Sequence, residues 1–126
     1  MLNKDLVLGI DIGGTNTAFG LVDRAGVPVH SGTMPTGAGD TPEIFIERLS
    51  QAIDRLISTF PFSFRLLGIG IGVPNAHHVR GTVEKSVNLN WGESVNLVSL
   101  VRRYYDIPVS ITNDASAAAL GEMYFG

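Results

Sequence analysis

Two adjacent glycines, Gly13 and Gly14, lie between two short apolar segments, and this arrangement strongly constrains the fold. Residues 6–10 and 17–22 are typical of buried β-strands. We therefore predict the glycines in a tight hairpin loop, where positive φ is accessible and the backbone can approach a ligand. Consecutive N–H groups in such a loop can bind an anion such as phosphate, and Asp11 can hold a cation beside it, directly or through water. An ordinary hairpin turn with a capping aspartate explains the same pattern.

The composition indicates a single soluble domain. The chain has 126 residues, enough for one hydrophobic core, and a net charge of −3. This charge and the lack of a basic run argue against a nucleic-acid surface, and no apolar run approaches the roughly 20 residues of a membrane helix. The absence of cysteine excludes a disulfide scaffold and a thiolate metal site. The first residues lack the layout of a signal peptide, so we expect a cytoplasmic protein without membrane or nucleic-acid partners.

The first half of the chain predicts an antiparallel meander followed by a helix. Residues 27–33 resume extended structure after a turn, which gives three strands joined by short connections. Pro28 predicts that the third strand lies at a sheet edge, because proline cannot donate to a ladder. Thr41-Pro42-Glu43 is typical of a helix start. The helix that follows has an apolar face at helical spacing, formed by Phe45, Leu49, Ala52, Ile53, Leu56 and Ile57.

The second half predicts helical crossovers to two more strands. Residues 65–74 form an apolar run typical of a strand buried on both faces. A helix is predicted from Val95 to Tyr105, with Tyr104 among its inward side chains. A strand over 107–112 and a helix after Asp114 follow. The order βββαβαβα predicts an α/β fold with a mixed five-stranded sheet and helices on both faces.

Asp114 is predicted where a strand ends and a helix begins, the position at which ligands gather in open α/β sheets. There it can act as a general base, accepting the proton of a substrate hydroxyl as that oxygen attacks phosphorus. The helix dipole favours the ionised carboxylate that a base requires. Helix capping by Asn113 or Asp114 is the structural alternative.

Loops predicted near the strand ends contain a set of amide side chains, Asn75, Asn88, Asn90 and Asn113. An amide both donates and accepts, which suits the paired hydroxyls of a sugar, and Trp91 can add an apolar wall. Turn formation is the alternative, because asparagine is common in loops for backbone reasons. The adjacent His77 and His78 have no acidic or cysteine partners at metal-ligand spacing, which favours a surface hairpin over a metal site.

Four segments form motifs in a defined order and spacing: residues 9–16, 68–74, 88–91 and 113–115. Together they resemble the ROK family of repressors, open reading frames and sugar kinases, within the actin-like ATPase superfamily. The resemblance spans nearly the whole chain and implies a ribonuclease H-like lobe. It also implies that Asp11, Gly13, Gly14 and Thr15 bind ATP phosphates and Mg²⁺, with Asp11 holding the ion through water.

The family pattern implies a sugar site as well. Asn113 and Asp114 would bind the sugar, with Asp114 as the catalytic base for the 6-hydroxyl. Asn88 and the Pro74-Asn75 turn would provide further contacts. The family usually has glycine after the proline, where this chain has Asn75, and this difference can alter a sugar contact.

The resemblance implies ATP-dependent phosphorylation of a hexose, either glucose or a related or N-acetylated sugar, at its 6-hydroxyl. Residues 1–126 would form the N-terminal lobe of a two-lobe kinase. The second lobe, with its own sugar, zinc and adenosine motifs, is absent from this chain. We therefore expect the isolated chain to be inactive and the full-length enzyme to be a homodimer.

Repressor members of the family carry an N-terminal helix-turn-helix segment, whereas the first predicted strand here starts within a few residues of Met1. This difference favours a kinase over a sugar-sensing transcriptional regulator. A non-catalytic nucleotide- or sugar-binding module is a further alternative. The presence of both Asp11 and Asp114 favours the enzyme.

Overall fold

Three antiparallel strands begin the structure. They are β1 (Lys4–Ile12), β2 (Asn16–Val22) and β3 (Pro28–Pro35), and each pairs with the next along the chain. The computed structural model describes residues 4–37, 39–74, 76–77, 79–84, 91–92 and 94–112. As Pro28 predicted, β3 lies at the edge of the main sheet.

The first helix, α1 (Pro42–Thr59), begins where the sequence predicted. The Thr41 hydroxyl oxygen accepts a hydrogen bond from the Ile44 N–H at 3.3 Å, and Pro42 occupies the first turn, where its missing N–H removes no helical bond. The predicted apolar face is confirmed, since its buried side chains are Phe45, Ile46, Leu49, Ser50, Ala52, Ile53 and Leu56.

Along the chain, a small three-stranded sheet lies between the fourth and fifth strands of the main sheet. After β4 (Phe64–Gly72) come β5 (Ala76–His77), β6 (Thr82–Glu84) and β7 (Ser94–Asn96), which pair antiparallel. The chain then forms α2 (Leu97–Arg102) and β8 (Val109–Thr112).

The main sheet has five strands in the order β3-β2-β1-β4-β8. β4 pairs parallel with β1, and β8 pairs parallel with β4, so the sheet is mixed, as predicted. α1 and α2 contact each other, which places both helices on the same face of this sheet. The predicted helix after Asp114 lies outside the described residues, so helices on both faces stay a prediction.

The core lies between this helical layer and one face of the sheet. Alternation along β1 directs every second side chain toward α1, and these inward residues are fully buried: Leu6, Leu8, Ile10 and Ile12. Ile69 and Ile71 of β4 and Ile111 of β8 continue the same layer. Asp11, between two inward residues, therefore lies on the opposite face. Among the residues that the structure describes, no helix has the length and apolar character needed to span a membrane.

The second helix is shorter than predicted. Residues 94–96 form β7 instead of the first helical turn, and the Asn96 side chain caps α2 by accepting from the Ser99 N–H at 3.0 Å. Because the helix ends at Arg102, its periodicity does not extend to Tyr104. That side chain is 48% exposed, so the prediction that it points inward was wrong.

Tyr105 joins the segment after α2 to α1. Its hydroxyl donates toward Asp54 Oδ1 at 3.1 Å and the Ser50 carbonyl oxygen at 3.3 Å. Burial raises the pKa of Tyr105 above its ordinary value, and the Asp54 charge and hydrogen bond raise it further. The folded protein therefore keeps this proton at a pH where the unfolded chain has released it.

Because the pKa of Tyr105 is raised on folding, we expect the free energy of unfolding to decrease at alkaline pH. A tyrosine pKa that is raised on folding contributes stability that is complete below about pH 10 and is lost as the pH rises toward the folded value. Tyr105→Phe should therefore lose stability less steeply than the wild type above about pH 10. Urea unfolding of both proteins across this pH range would measure how the free energy of unfolding depends on pH. Tyr104→Phe, at an exposed neighbour, is the matched control and should follow the wild-type slope.

Candidate functional site

The carboxyl ends of three parallel strands meet at one edge of the main sheet. Asp11 of β1 pairs with Gly72 of β4, and Gly72 pairs with Thr112 of β8. Since neighbouring strands lie about 4.8 Å apart, Asp11 and Thr112 are about 10 Å apart across the sheet. Ligands bind at this edge in open α/β folds.

Asp11 is exposed and lies in a depression on the sheet face away from the helices. The depression has a volume of about 360 Å³. It forms largely because glycines occupy this face of the sheet: Gly9 pairs with Gly20 across β1 and β2, and neither provides a side chain to fill the space. Among the residues that the structure describes, none covers the Asp11 side chain at the strand end.

The loop between β1 and β2 is closed by its own backbone. The Gly13 N–H donates to the Asn16 carbonyl oxygen at 3.0 Å, and Gly14 and Thr15 at the tip are exposed. A Cβ atom at Gly13 would lie 2.8 Å from that same oxygen. The sequence predicted a glycine for positive φ, but Gly13 does not have a left-handed φ. Close backbone approach is what requires glycine at this position.

A buried threonine supports this loop from the core side. The Thr36 hydroxyl donates to the Gly13 carbonyl oxygen at 2.7 Å, and the Thr36 N–H donates to the Thr15 carbonyl oxygen at 2.9 Å. The hydroxyl oxygens of Thr17 and Thr36 are 2.8 Å apart, and both residues have no exposed surface. Sequence reasoning missed this pair. The sequence signal that could have revealed the pair is Thr17, a polar residue on the strand face that Phe19 and Leu21 otherwise make apolar.

Arg48 fixes the segment that contains Thr36 to α1. Its guanidinium donates to the Thr36 carbonyl oxygen, to the Pro35 carbonyl oxygen at 3.0 Å and to Asp40 Oδ2 at 2.9 Å. Gly37 follows with φ of 71°, a conformation that favours glycine. The loop and the start of α1 are thus linked through a few hydrogen bonds.

The structure brings part of the predicted site together. Asp11, Gly13, Gly14 and Thr15 form one loop, and Pro74 is exposed just beyond the end of β4 at the same edge of the sheet. The remaining predicted sugar-site residues lie outside the described residues: Asn75, Asn88, Asn113 and Asp114. Thr112, the last described residue before Asn113 in the sequence, ends β8 at the edge that Asp11 occupies.

Trp91 packs in the core. Its side chain is 6% exposed and lies against Phe45 with ring centroids 5.4 Å apart, so it offers little surface for the apolar wall that the sequence suggested. Burial of this large aromatic ring removes a large apolar surface from water, which favours its position in the core. His77 lies in the small sheet, where its Nδ1 accepts from the Arg80 N–H at 3.3 Å. In the described ranges no group of three or more His, Cys, Asp and Glu residues is arranged to hold a metal.

The described residues form a mixed α/β fold with a glycine-rich hairpin at the carboxyl ends of its parallel strands. Residues 7–126 match the model of the ROK family, and the chain belongs to that family. It is 33% identical over 122 residues to the glucokinase of Streptomyces coelicolor and 34% identical over 129 residues to the xylose repressor of Caldicellulosiruptor bescii. These matches cover 96% and 99% of this chain but only 36% and 32% of the two relatives.

A solved structure shares the fold. The ROK family glucokinase from Streptomyces griseus, determined in complex with glucose and AMPPNP, matches with a TM-score of 0.74 and 30% identity. The match covers 96% of this chain and 37% of the glucokinase. The predicted α/β fold with a mixed five-stranded sheet is confirmed, and the chain spans about a third of the length of these relatives.

Proposed function

We propose that this chain is the N-terminal lobe, residues 1–126, of an ATP-dependent kinase that phosphorylates a hexose at its 6-hydroxyl. The sugar is glucose or a related or N-acetylated hexose. The observation that carries the proposal is the closed loop of residues 13–15 beside the exposed Asp11 carboxylate, at the edge where three parallel strands end. The match to a glucokinase solved with glucose and AMPPNP supports it.

The loop suits a magnesium–nucleotide ligand. Gly13 allows the backbone to turn where any side chain would meet the Asn16 oxygen, and the exposed tip has N–H donors for phosphate oxygens. The Asp11 carboxylate is the hard oxygen ligand that Mg²⁺ prefers, usually with water retained around the ion. We assign phosphate binding to Asp11, Gly13, Gly14 and Thr15, with Asp11 holding Mg²⁺ through water. Bound ATP would supply the phosphoryl group.

The sugar site is proposed on the adjacent strand ends. Asn113 and Asp114 bind the sugar, and Asp114 accepts the proton of the 6-hydroxyl. Asn88, Pro74 and Asn75 are proposed to provide further contacts, and the exposed position of Pro74 just after β4 supports its assignment. The full-length enzyme is proposed to be cytoplasmic and homodimeric, with a second lobe that completes the cleft.

A sugar-sensing transcriptional regulator is the second candidate. The observation that favours it is the 34% identity to a xylose repressor, which is no lower than the identity to the glucokinase. A regulator of this kind would use the same edge of the sheet to bind a sugar without phosphoryl transfer. The two candidates differ in turnover, not in fold.

Phosphorylation assays on the full-length protein would separate the two. We expect ATP- and Mg²⁺-dependent formation of a sugar 6-phosphate from at least one member of a panel of hexoses and N-acetylated hexoses. Asp114→Asn serves as the matched inactive control. Sugar binding without turnover on any member of the panel, together with sugar-dependent DNA binding, would replace the kinase by the regulator.

A further inference from the structure

Two hydroxyl groups are buried behind the loop of residues 13–15. Thr17 and Thr36 have no exposed surface, and Thr17 pairs across the sheet with the apolar residues Ile12 and Met34. A buried hydroxyl must find hydrogen-bond partners, because leaving it unpaired would be costly. The direction of each bond in this pair therefore follows from counting protons.

Each threonine hydroxyl has one proton to donate. Thr36 uses its proton on the Gly13 carbonyl oxygen, which lies 2.7 Å away and can only accept. The 2.8 Å bond between the two hydroxyls must then be donated by Thr17 and accepted by Thr36. The result is a directed chain of hydrogen bonds from Thr17 through Thr36 to the Gly13 carbonyl.

This chain orients the peptide at the tip of the loop. A peptide group is planar and trans, so its C=O and N–H point in opposite directions. With the Gly13 carbonyl held toward buried Thr36, the N–H of Gly14 in the same peptide is directed outward, on the side where Gly14 is exposed.

A second bond turns another acceptor away from the ligand side. The Thr36 N–H donates to the Thr15 carbonyl oxygen at 2.9 Å, so the carbonyls of Gly13 and Thr15 both point toward Thr36. Carbonyl oxygens facing a phosphate would repel it, whereas N–H groups attract it. Arg48 in turn holds the Thr36 carbonyl, which fixes this support to α1.

We infer that Thr36 is a positioning residue for nucleotide phosphate. It does not touch the ligand; it holds the loop so that the Gly14 N–H faces the phosphate and two carbonyls face away. This inference rests on the proposed function in one respect, that the loop of residues 13–15 binds the phosphates of ATP.

Substitution of Thr36 in the full-length protein tests this role. Thr36→Val keeps the shape and removes the hydroxyl, so the Gly13 carbonyl loses its partner and the peptide can rotate. We expect the affinity for AMPPNP in calorimetric titration to fall roughly tenfold, as for loss of one buried hydrogen bond, while glucose affinity is unchanged. Thr59→Val, an exposed threonine at the last position of α1, is the matched control and should bind both ligands like the wild type.

A second pair of variants covers the case in which Thr36→Val fails to fold. Thr36→Ser and Thr36→Cys have the same branching and differ mainly in one atom, and only serine donates a strong hydrogen bond. We expect serine to preserve nucleotide affinity and cysteine to lower it. Equal nucleotide affinities in these two variants, or in Thr36→Val and Thr59→Val, would overturn the inference. A wild-type protein that binds glucose but not AMPPNP would instead refute the proposed nucleotide site and, with it, the role of Thr36.

Discussion

Replacing Asp114 with asparagine should lower kcat of the full-length protein by about 10²–10⁴, the range ascribed to general-base catalysis. Asparagine keeps the shape and one acceptor oxygen of the side chain but cannot take up the proton of the 6-hydroxyl. The sugar contacts remain, so the loss should fall on kcat and leave sugar affinity close to that of the wild type. Steady-state kinetics and sugar titration on the same preparation would measure both quantities.

Asp106→Asn is the matched control, because Asp106 is an exposed aspartate shortly before the same strand, β8. It should keep wild-type kcat. Near-normal kcat in the Asp114→Asn protein would exclude Asp114 as the base. Loss of sugar binding with an unchanged unfolding temperature would assign it to binding alone.

Gly13→Val should weaken nucleotide binding far more than sugar binding. The new Cβ would lie 2.8 Å from the Asn16 carbonyl oxygen, so the loop must open and its N–H groups move away from the phosphate. Loss of a hydrogen bond to a charged group corresponds to a fall in AMPPNP affinity of roughly 10- to 100-fold. Separate titrations with AMPPNP and glucose would show the difference.

Gly39→Val provides the control for this substitution. It makes the same chemical change in a nearby loop, where an added Cβ meets no atom within 4 Å. It should bind both ligands normally. A Gly13→Val protein that loses both affinities equally would indicate that the hairpin has unfolded and that the loop has no specific role toward phosphate.

The sequence predicted the elements whose signals are local. Short apolar runs placed β1 and β2, Pro28 placed β3 at the edge, and Thr41 with Pro42 located the start of α1. The start of α2 was misplaced because residues 94–96 pair with β6, a contact that helical periodicity cannot reveal. Tertiary pairing there outweighed the local preference.

The candidate site was also predicted only in part, because sequence patterns reveal local motifs but not contacts between distant residues. Asp11 and the loop glycines form a contiguous motif, and the structure places them together. Thr36 lies more than twenty residues beyond Gly13, and only the pairing of β2 with β3 brings it under the loop. The prediction of a positive φ at Gly13 was wrong. Glycine is required at this position because the neighbouring Asn16 carbonyl oxygen leaves no room for a Cβ atom.

The edge position of β3 also bears on how this protein behaves at high concentration. An edge strand presents backbone donors and acceptors to which a strand from another molecule can add, and natural sheets discourage such growth with proline at their edges. Pro28 and Pro35 stand at the two ends of β3, so uninterrupted ladder groups extend only between them. An incoming strand could therefore pair with no more than residues 29–34, which limits how far a ladder can extend along this edge of the sheet.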